Sequence, residues 1–146
     1  MDKALHYLAL GRKGSLVELG EEPVGAAARA GTARLVVVAS DASDHTWRRS
    51  LSFVAGTPQQ CLRVPFNKDE MGLAVGRTSL AIAAFTDYAL ALAFVKALDG
   101  PEKYAKVLQE LESRAVRARQ RQKEAKALQR NKQLGRKHTA AVKKEH

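Results

Sequence analysis

The chain of 146 residues is poor in the residue types on which disulfide-bonded and metal-dependent proteins rely. Its single cysteine, Cys61, cannot form an internal disulfide and has no partner for a CxxC motif, which fits a reducing compartment. We interpret Cys61 as a small, buried apolar side chain. The four histidines include no pair at helical or zinc-finger spacing. We therefore expect neither a disulfide nor a metal site.

Long hydrophobic runs are also missing. No stretch approaches eighteen uninterrupted apolar residues, and residues 1–6 lack the basic, apolar and small-residue order of a signal peptide. The sequence therefore predicts a cytoplasmic protein with no membrane partner. Aromatic residues make up only 5% of a chain that is 45% hydrophobic, so the core should be small and aliphatic. The length suits one ordinary domain with an appendage.

Motifs that would indicate catalysis are weak or absent. The segment Gly11–Ser15 resembles a phosphate-binding loop only loosely, because its lysine does not directly precede the serine and no glycine lies five residues earlier. No serine occupies a nucleophile elbow. The acids lie mostly at predicted helix starts, where capping explains them without catalysis. We expect no enzyme activity, no catalytic residue, no cofactor and no small-molecule substrate.

Charge is concentrated at one end of the chain. The formal net charge is +10, but Lys and Arg outnumber Asp and Glu by only 11 to 10 in residues 1–100. In residues 101–146 the ratio is 14 to 5. An excess confined to one terminal segment is typical of a segment that meets a polyanion. The alternative is a tail kept basic for solubility alone.

The organising element of the predicted fold is a short aliphatic run, Arg34–Ala39, which predicts a strand buried on both faces. Ser40 and Asp41 end the run, and Ser43 or Asp44 can cap the next helix. A strand buried on both faces needs helices above and below it. The expected fold is therefore an α/β, three-layer α-β-α sandwich.

The remaining elements alternate along the chain. The predicted strands are Leu16–Leu19, Arg34–Ala39, Cys61–Val64 and Ser79–Phe85, which gives a small mixed four-stranded sheet. The predicted helices cover Asp2–Leu10, a segment starting at Glu21–Pro23 and ending at Arg29, Ser43–Val54, a capping box at Asn67–Glu70 continuing towards Gly76, and a helix from Thr86 or Asp87 through Leu98. Gly11–Gly14 should be a turn that ends the first helix.

The domain prediction follows from the change in character after Gly100. Residues 1–100 should form the folded domain, and residues 101–146 a basic, helix-prone tail. The apolar stripe of the tail is predicted to be too thin to anchor a core, and it turns to alanine beyond Leu111. Its continuation has high helix propensity with almost no packing surface, so we expect a helix that frays or becomes ordered on a partner.

Two ordered blocks of the sequence carry a resemblance to a known family. They comprise the segments Gly14–Glu22, Ala28–Ser43, Val64–Pro65, Asn67–Arg77 and Ala81–Asp87. In this order they resemble the ribosomal protein L-seven-Ae and L-thirty-e family, especially its short bacterial members, and the similarity covers about Leu5 to Leu98. This resemblance implies an α-β-α sandwich that binds structured RNA such as the kink-turn, through the start of the second helix and neighbouring loops.

The resemblance and the charge pattern together define a candidate RNA-binding surface. Transferred by position, the family's surface falls on the start of the second helix and on a later loop, with three nearby cations added. These residues are Gly20, Glu21, Glu22, Val75, Gly76, Arg77 and Thr78, with Arg12, Lys13 and Arg29 beside them. The tail is expected to add phosphate contacts from Arg114, Arg117, Arg119, Arg121, Lys123 and Lys126.

Three positions depart from the pattern of the family's kink-turn readers. Glu22 stands where they have asparagine, Pro23 where they have an acid and Ala26 where they have lysine. A carboxylate has no amide donor for a base edge, and alanine cannot contact a phosphate. The resemblance implies a non-enzymatic protein that binds structured RNA, with ribosomal RNA and ribosomal proteins as expected partners. The departures support an alternative, a protein–protein adaptor that keeps the fold without kink-turn recognition.

Overall fold

The computed structural model describes residues 2–145, and their side chains except at residues 101 and 135–145. Helices and strands alternate through most of the chain. Their bounds are α1 (Lys3–Lys13), β1 (Val17–Leu19), α2 (Glu21–Arg29), β2 (Leu35–Val38), α3 (Asp44–Val54), β3 (Gln60–Arg63), α4 (Lys68–Ala74), β4 (Ile82–Phe85), α5 (Tyr88–Lys96), a short 3-10 helix (Pro101–Tyr104) and α6 (Ala105–Glu145).

The four strands form one mixed sheet in the order β1-β4-β2-β3. Strand β2 runs parallel to β3 and antiparallel to β4, and β4 runs antiparallel to β1. All residues of β2 and β4 are buried, which requires cover on both faces of the sheet. The cover comes from α2 beside α3 and from α1 beside α5. The predicted α/β sandwich with a mixed four-stranded sheet is confirmed.

Local capping explains where several helices begin. Asp2, Ser43 and Asp87 each accept a hydrogen bond from a backbone amide in the first turn of the helix that follows. Asn67 and Glu70 form the predicted capping box, in which each side chain accepts from the other residue's backbone amide. The buried run Leu35–Val38 also lies within the strand predicted at Arg34–Ala39. These starts therefore follow directly from the sequence.

The predicted turn at Gly11–Gly14 is wrong, because α1 continues to Lys13. Gly11 is buried inside the helix, where a Cβ would lie 2.5 Å from Val17 Cγ1 and 2.9 Å from Leu90 Cδ2. The glycine lets α1 approach β1 and α5 closely and does not end the helix. As a result, Arg12 and Lys13 occupy the last helical turn and not a flexible loop.

The chain divides into two compact units, one ending at Glu112 and one beginning at Ser113. The first unit includes the 3-10 helix, where Tyr104 is 8% exposed, and the start of α6, where Leu111 is 1% exposed. The boundary predicted after Gly100 stays a prediction, but these side chains belong to the core of the first unit.

Within the described residues, no helix combines the length and the apolar character needed to cross a membrane.

Candidate nucleic-acid interface

The junction between β1 and α2 is built on Gly20. This residue has φ +97°, a backbone conformation that residues other than glycine rarely adopt. It occupies the N-cap of α2. Its N–H donates to the carbonyl of Ile82 at 3.0 Å, and its carbonyl accepts from the N–H of Val24 at 3.1 Å. A Cβ on Gly20 would lie 3.8 Å from Nη1 of Arg77. The guanidinium of Arg77 therefore lies directly beside this turn.

The loop between α4 and β4 approaches the same region from another part of the chain. Gly76 has φ +72°, and a Cβ there would lie 3.4 Å from Nη1 of Arg12. The N–H of Arg77 donates to the carbonyl of Gly72 at 2.8 Å, which fixes the turn against α4. Val75 is buried beneath it, whereas Gly76, Arg77 and Thr78 are exposed. The loop thus presents backbone and one guanidinium to solvent.

Three segments of the chain therefore place two arginines against two glycine turns. We call Arg12, Gly20, Gly76 and Arg77 the two-arginine cluster. Both arginines are exposed, as is Lys13 next to Arg12. Guanidinium groups bind phosphate oxygens through two parallel hydrogen bonds, and glycine lets a ligand backbone approach closely. The cluster has the chemistry of an anion-binding surface.

The acids at the start of α2 have different environments. Glu21 forms an ion pair with Arg49 of α3, in which Nε of the arginine donates to Oε1 of the glutamate. Glu22 is exposed to solvent. The charge of Glu21 is therefore offset by a neighbour that sequence reasoning missed. No local signal could have identified Arg49, because the pair joins residues 28 positions apart on two different helices.

The structure does not bring Arg29 into the two-arginine cluster. Arg29 is the last residue of α2, eight residues beyond its first residue, Glu21, or about 12 Å along the helix axis. Its Nη1 lies 3.3 Å from where a Cβ on Gly25 would be, next to the ring of Phe53. Arg29 is exposed, but it is separated from Gly20 by the length of α2.

The tail cations lie on α6 in the second unit. Arg114 is partly buried and has an interaction partner of its own. The other predicted tail residues are exposed, namely Arg117, Arg119, Arg121, Lys123 and Lys126. Arg130 and Lys132, absent from the predicted set, are exposed on the same helix. Counting every cation of the basic segment would have found both.

Groups with catalytic potential are few in the described part of the chain. Cys61 is partly buried, not fully as predicted, and its thiol donates to Oγ of Ser50 at 3.3 Å. Burial raises the pKa of the Cys61 thiol above its ordinary value, which disfavours the nucleophilic thiolate. Among the described residues, no three His, Cys, Asp or Glu side chains are grouped to hold a metal ion.

Gly72 holds the α4–β4 loop in place, which leads to a stability prediction. A Cβ at this position would lie 2.8 Å from the backbone N and Cα of Ser79 and 2.9 Å from the carbonyl oxygen of Arg77. Because backbone atoms cannot move aside cheaply, Gly72→Ala should lower the free energy of unfolding by about 1 to 3 kcal/mol. Urea denaturation would measure this change.

Gly14→Ala is the matched control for Gly72→Ala. Gly14 has an ordinary φ of −89°, and a Cβ there would make only contacts of 3.5 Å or more. Its substitution should change the free energy of unfolding by less than about 0.5 kcal/mol, as is usual at surface positions. Equal stability of the two variants would contradict the close approach at Gly72.

No protein-family model matches the chain, and no curated protein sequence matches it either. Solved structures do share its fold. A Bacillus halodurans protein of unknown function superimposes with a TM-score of 0.62 at 25% identity, covering 68% of this chain and 99% of its own. The Giardia lamblia 15.5 kD RNA-binding protein superimposes with a TM-score of 0.55 at 17% identity, covering 69% of this chain and 86% of its own. One structural neighbour is thus an RNA-binding protein.

Proposed function

We propose that this chain is a non-enzymatic RNA-binding protein, associated in the cytoplasm with the ribosome or with another structured RNA such as a kink-turn. Its partners would be ribosomal RNA and adjacent ribosomal proteins. The observation that carries the proposal is the two-arginine cluster, where Arg12 and Arg77 lie against the turns at Gly76 and Gly20. The RNA-binding neighbour of the same fold supports it, as does the basic second unit.

The cluster suits recognition of RNA shape more than recognition of base sequence. Arg12 and Arg77 come from different segments, so their separation is set by the fold and can match only certain arrangements of phosphates. Gly76 is exposed and has no Cβ, which leaves room for a sharply bent RNA backbone to approach its turn. Glu22 can accept hydrogen bonds from base amino groups but cannot donate any. Phosphate contacts would therefore supply most of the affinity of the first unit.

The double substitution Arg12→Gln with Arg77→Gln tests the cluster. We expect it to reduce affinity for a synthetic kink-turn RNA by about tenfold to a hundredfold, because two charged hydrogen-bonding groups are lost. Affinity for an unkinked duplex of the same length should fall much less. Filter-binding titrations at fixed salt would measure both. If the two RNAs lose affinity equally, the cluster does not recognise shape.

A matched control removes the same charge elsewhere in the first unit. Lys3 lies at the opposite end of α1 from Arg12, and Arg48 is an exposed residue of α3. Lys3→Gln with Arg48→Gln should change affinity for either RNA less than about threefold, since sequence-independent attraction is spread over many charges.

Purification from lysate with and without ribonuclease tests the broader proposal. Absence of co-purifying RNA at low salt would refute it.

The second candidate function is the protein–protein adaptor. The start of α2 favours it, because Glu21 is paired with Arg49 and the exposed Glu22 and Pro23 offer no phosphate contact. A protein partner retained after nuclease treatment, with no binding by the first unit to an RNA panel, would favour the adaptor. RNA binding that depends on Arg12 and Arg77 would exclude it as the main role.

A further inference from the structure

The eight cations of residues 113–134 lie on two opposite faces of α6, four on each face. Residues 113–134 contain eight Lys and Arg against a single acid, Glu124. Four of the cations follow one another at intervals of four, three and four residues, which places them within an arc of about 60° on one face of a helix. All four are exposed. We call them the basic stripe: Arg119, Lys123, Lys126 and Arg130.

The one acid of residues 113–134 lies on another face. Glu124 accepts a hydrogen bond from Nε2 of Gln120 at 3.2 Å, one turn earlier on the helix. It follows Arg117 by seven residues and Arg121 by three, so it shares their face. Its carboxylate offsets part of their charge. The basic stripe has no such acid, so its face carries a formal charge of +4 against +3 on the opposite face.

The dimensions of the basic stripe fit a row of phosphates. Arg119 and Arg130 are eleven residues apart, or about 16.5 Å along the helix axis, with neighbouring cations about 4.5 to 6 Å apart. The basic stripe is therefore long enough to contact several phosphates of a nucleic-acid backbone, which carries one charge at every nucleotide.

The surroundings of the stripe indicate which kind of nucleic acid it suits. Residues 113–134 contain no aromatic side chain, so they lack the aromatic platform on which proteins that bind single strands stack unpaired bases. Double-stranded RNA is recognised mainly through its phosphates and 2′-hydroxyls and requires no stacking. We propose that the basic stripe binds the phosphate backbone of a double-helical RNA segment. This inference rests on the proposed RNA-binding function and assigns the contact to one face of α6.

Two triple variants of the full chain test the stripe. The stripe variant carries Arg119→Gln, Lys123→Gln and Lys126→Gln, and the control removes three exposed cations outside the stripe through Lys3→Gln, Arg48→Gln and Lys132→Gln. Each lowers the formal net charge from +10 to +7. Glutamine has nearly the helix propensity of lysine and arginine, so both variants should keep the circular dichroism of the unaltered chain. The probes are a blunt RNA duplex and a single-stranded RNA of equal length.

We expect the stripe variant to lower the slope of log affinity against log salt on the duplex by about 2 to 3, and the control to lower it by less than about 1. A further variant that exchanges lysine and arginine at the three stripe positions should keep the original slope. Equal slopes for the stripe variant and the control would overturn the proposal, and so would a larger effect on the single strand. If the unaltered chain binds neither RNA, both this inference and the proposed RNA-binding function are wrong.

Discussion

A chain that ends at Gly100 will be far less stable than one that ends at Glu112. The longer fragment keeps Tyr104 and Leu111, which are buried in the first unit, whereas the shorter one exposes the surfaces they cover. Removing a buried leucine costs about 2 to 5 kcal/mol, and a buried aromatic side chain about 3 to 5. Their joint loss, about 5 kcal/mol or more, approaches the whole stability of a small domain.

Urea denaturation followed by circular dichroism would compare the two fragments with the full chain. We expect the fragment ending at Glu112 to unfold cooperatively, and the fragment ending at Gly100 to be largely unfolded without denaturant. The ion pair between Lys96 and Glu112 is exposed and should contribute little to the difference. If both fragments were equally stable, the domain boundary predicted at Gly100 would be correct.

Point variants of the full chain separate the packing of α6 from the effects of truncation. Leu111→Ala should lower the free energy of unfolding by about 2 to 5 kcal/mol, because it leaves a cavity in the core. Val116→Ala is the control on the same helix. Val116 is 60% exposed, so its substitution should change stability by less than about 0.5 kcal/mol. Similar values for the two variants would show that α6 contributes no core.

Most of the fold could be predicted from the sequence because its signals are local. The run Leu35–Val38 is apolar at every position, and Asn67 followed three residues later by Glu70 is the sequence pattern of a capping box. The errors came from residues whose role is set by distant neighbours. Gly11 has the form of a helix stop but serves close packing against Val17 and Leu90. Leu111 belongs to an apolar stripe whose few residues predict no core, yet Leu111 is buried in the first unit.

The candidate site shows the same division between local and distant signals. Gly20 and Gly76 could be singled out because breaks after a strand and a helix are visible in the sequence. The resemblance to an RNA-binding family pointed to the loop at Arg77. The placement of Arg12 over Gly76 could not be predicted from a charge pattern, because the two residues are far apart in the chain. The pairing of Glu21 with Arg49 was hidden for the same reason.

The net charge of the chain lies entirely in its second unit. Up to Glu112 the chain carries 13 Lys and Arg and 13 Asp and Glu, so the first unit is formally neutral. All of the net charge of +10 lies from Ser113 onward, where 12 cations face two acids. A first unit of zero net charge contributes no net long-range attraction for a polyanion beyond the local field of its own cations. It can discriminate among RNAs only through contacts that depend on geometry, such as those of the two-arginine cluster.

Truncation after Glu112 will therefore flatten the salt dependence of RNA binding more than any substitution in the first unit. If about half of the 12 removed cations contact phosphates, the slope of log affinity against log salt should fall by about 4 to 5. Binding by the full chain should weaken about a thousandfold between roughly 50 and 200 mM salt, and binding by the fragment far less. Filter-binding titrations at several salt concentrations, on a kink-turn RNA and on a random RNA, would measure both. The fragment should keep its preference for the kink-turn RNA, since Arg12 and Arg77 remain. An unchanged slope would show that the cations of the tail do not contact phosphates. The role assigned to those cations would then be wrong.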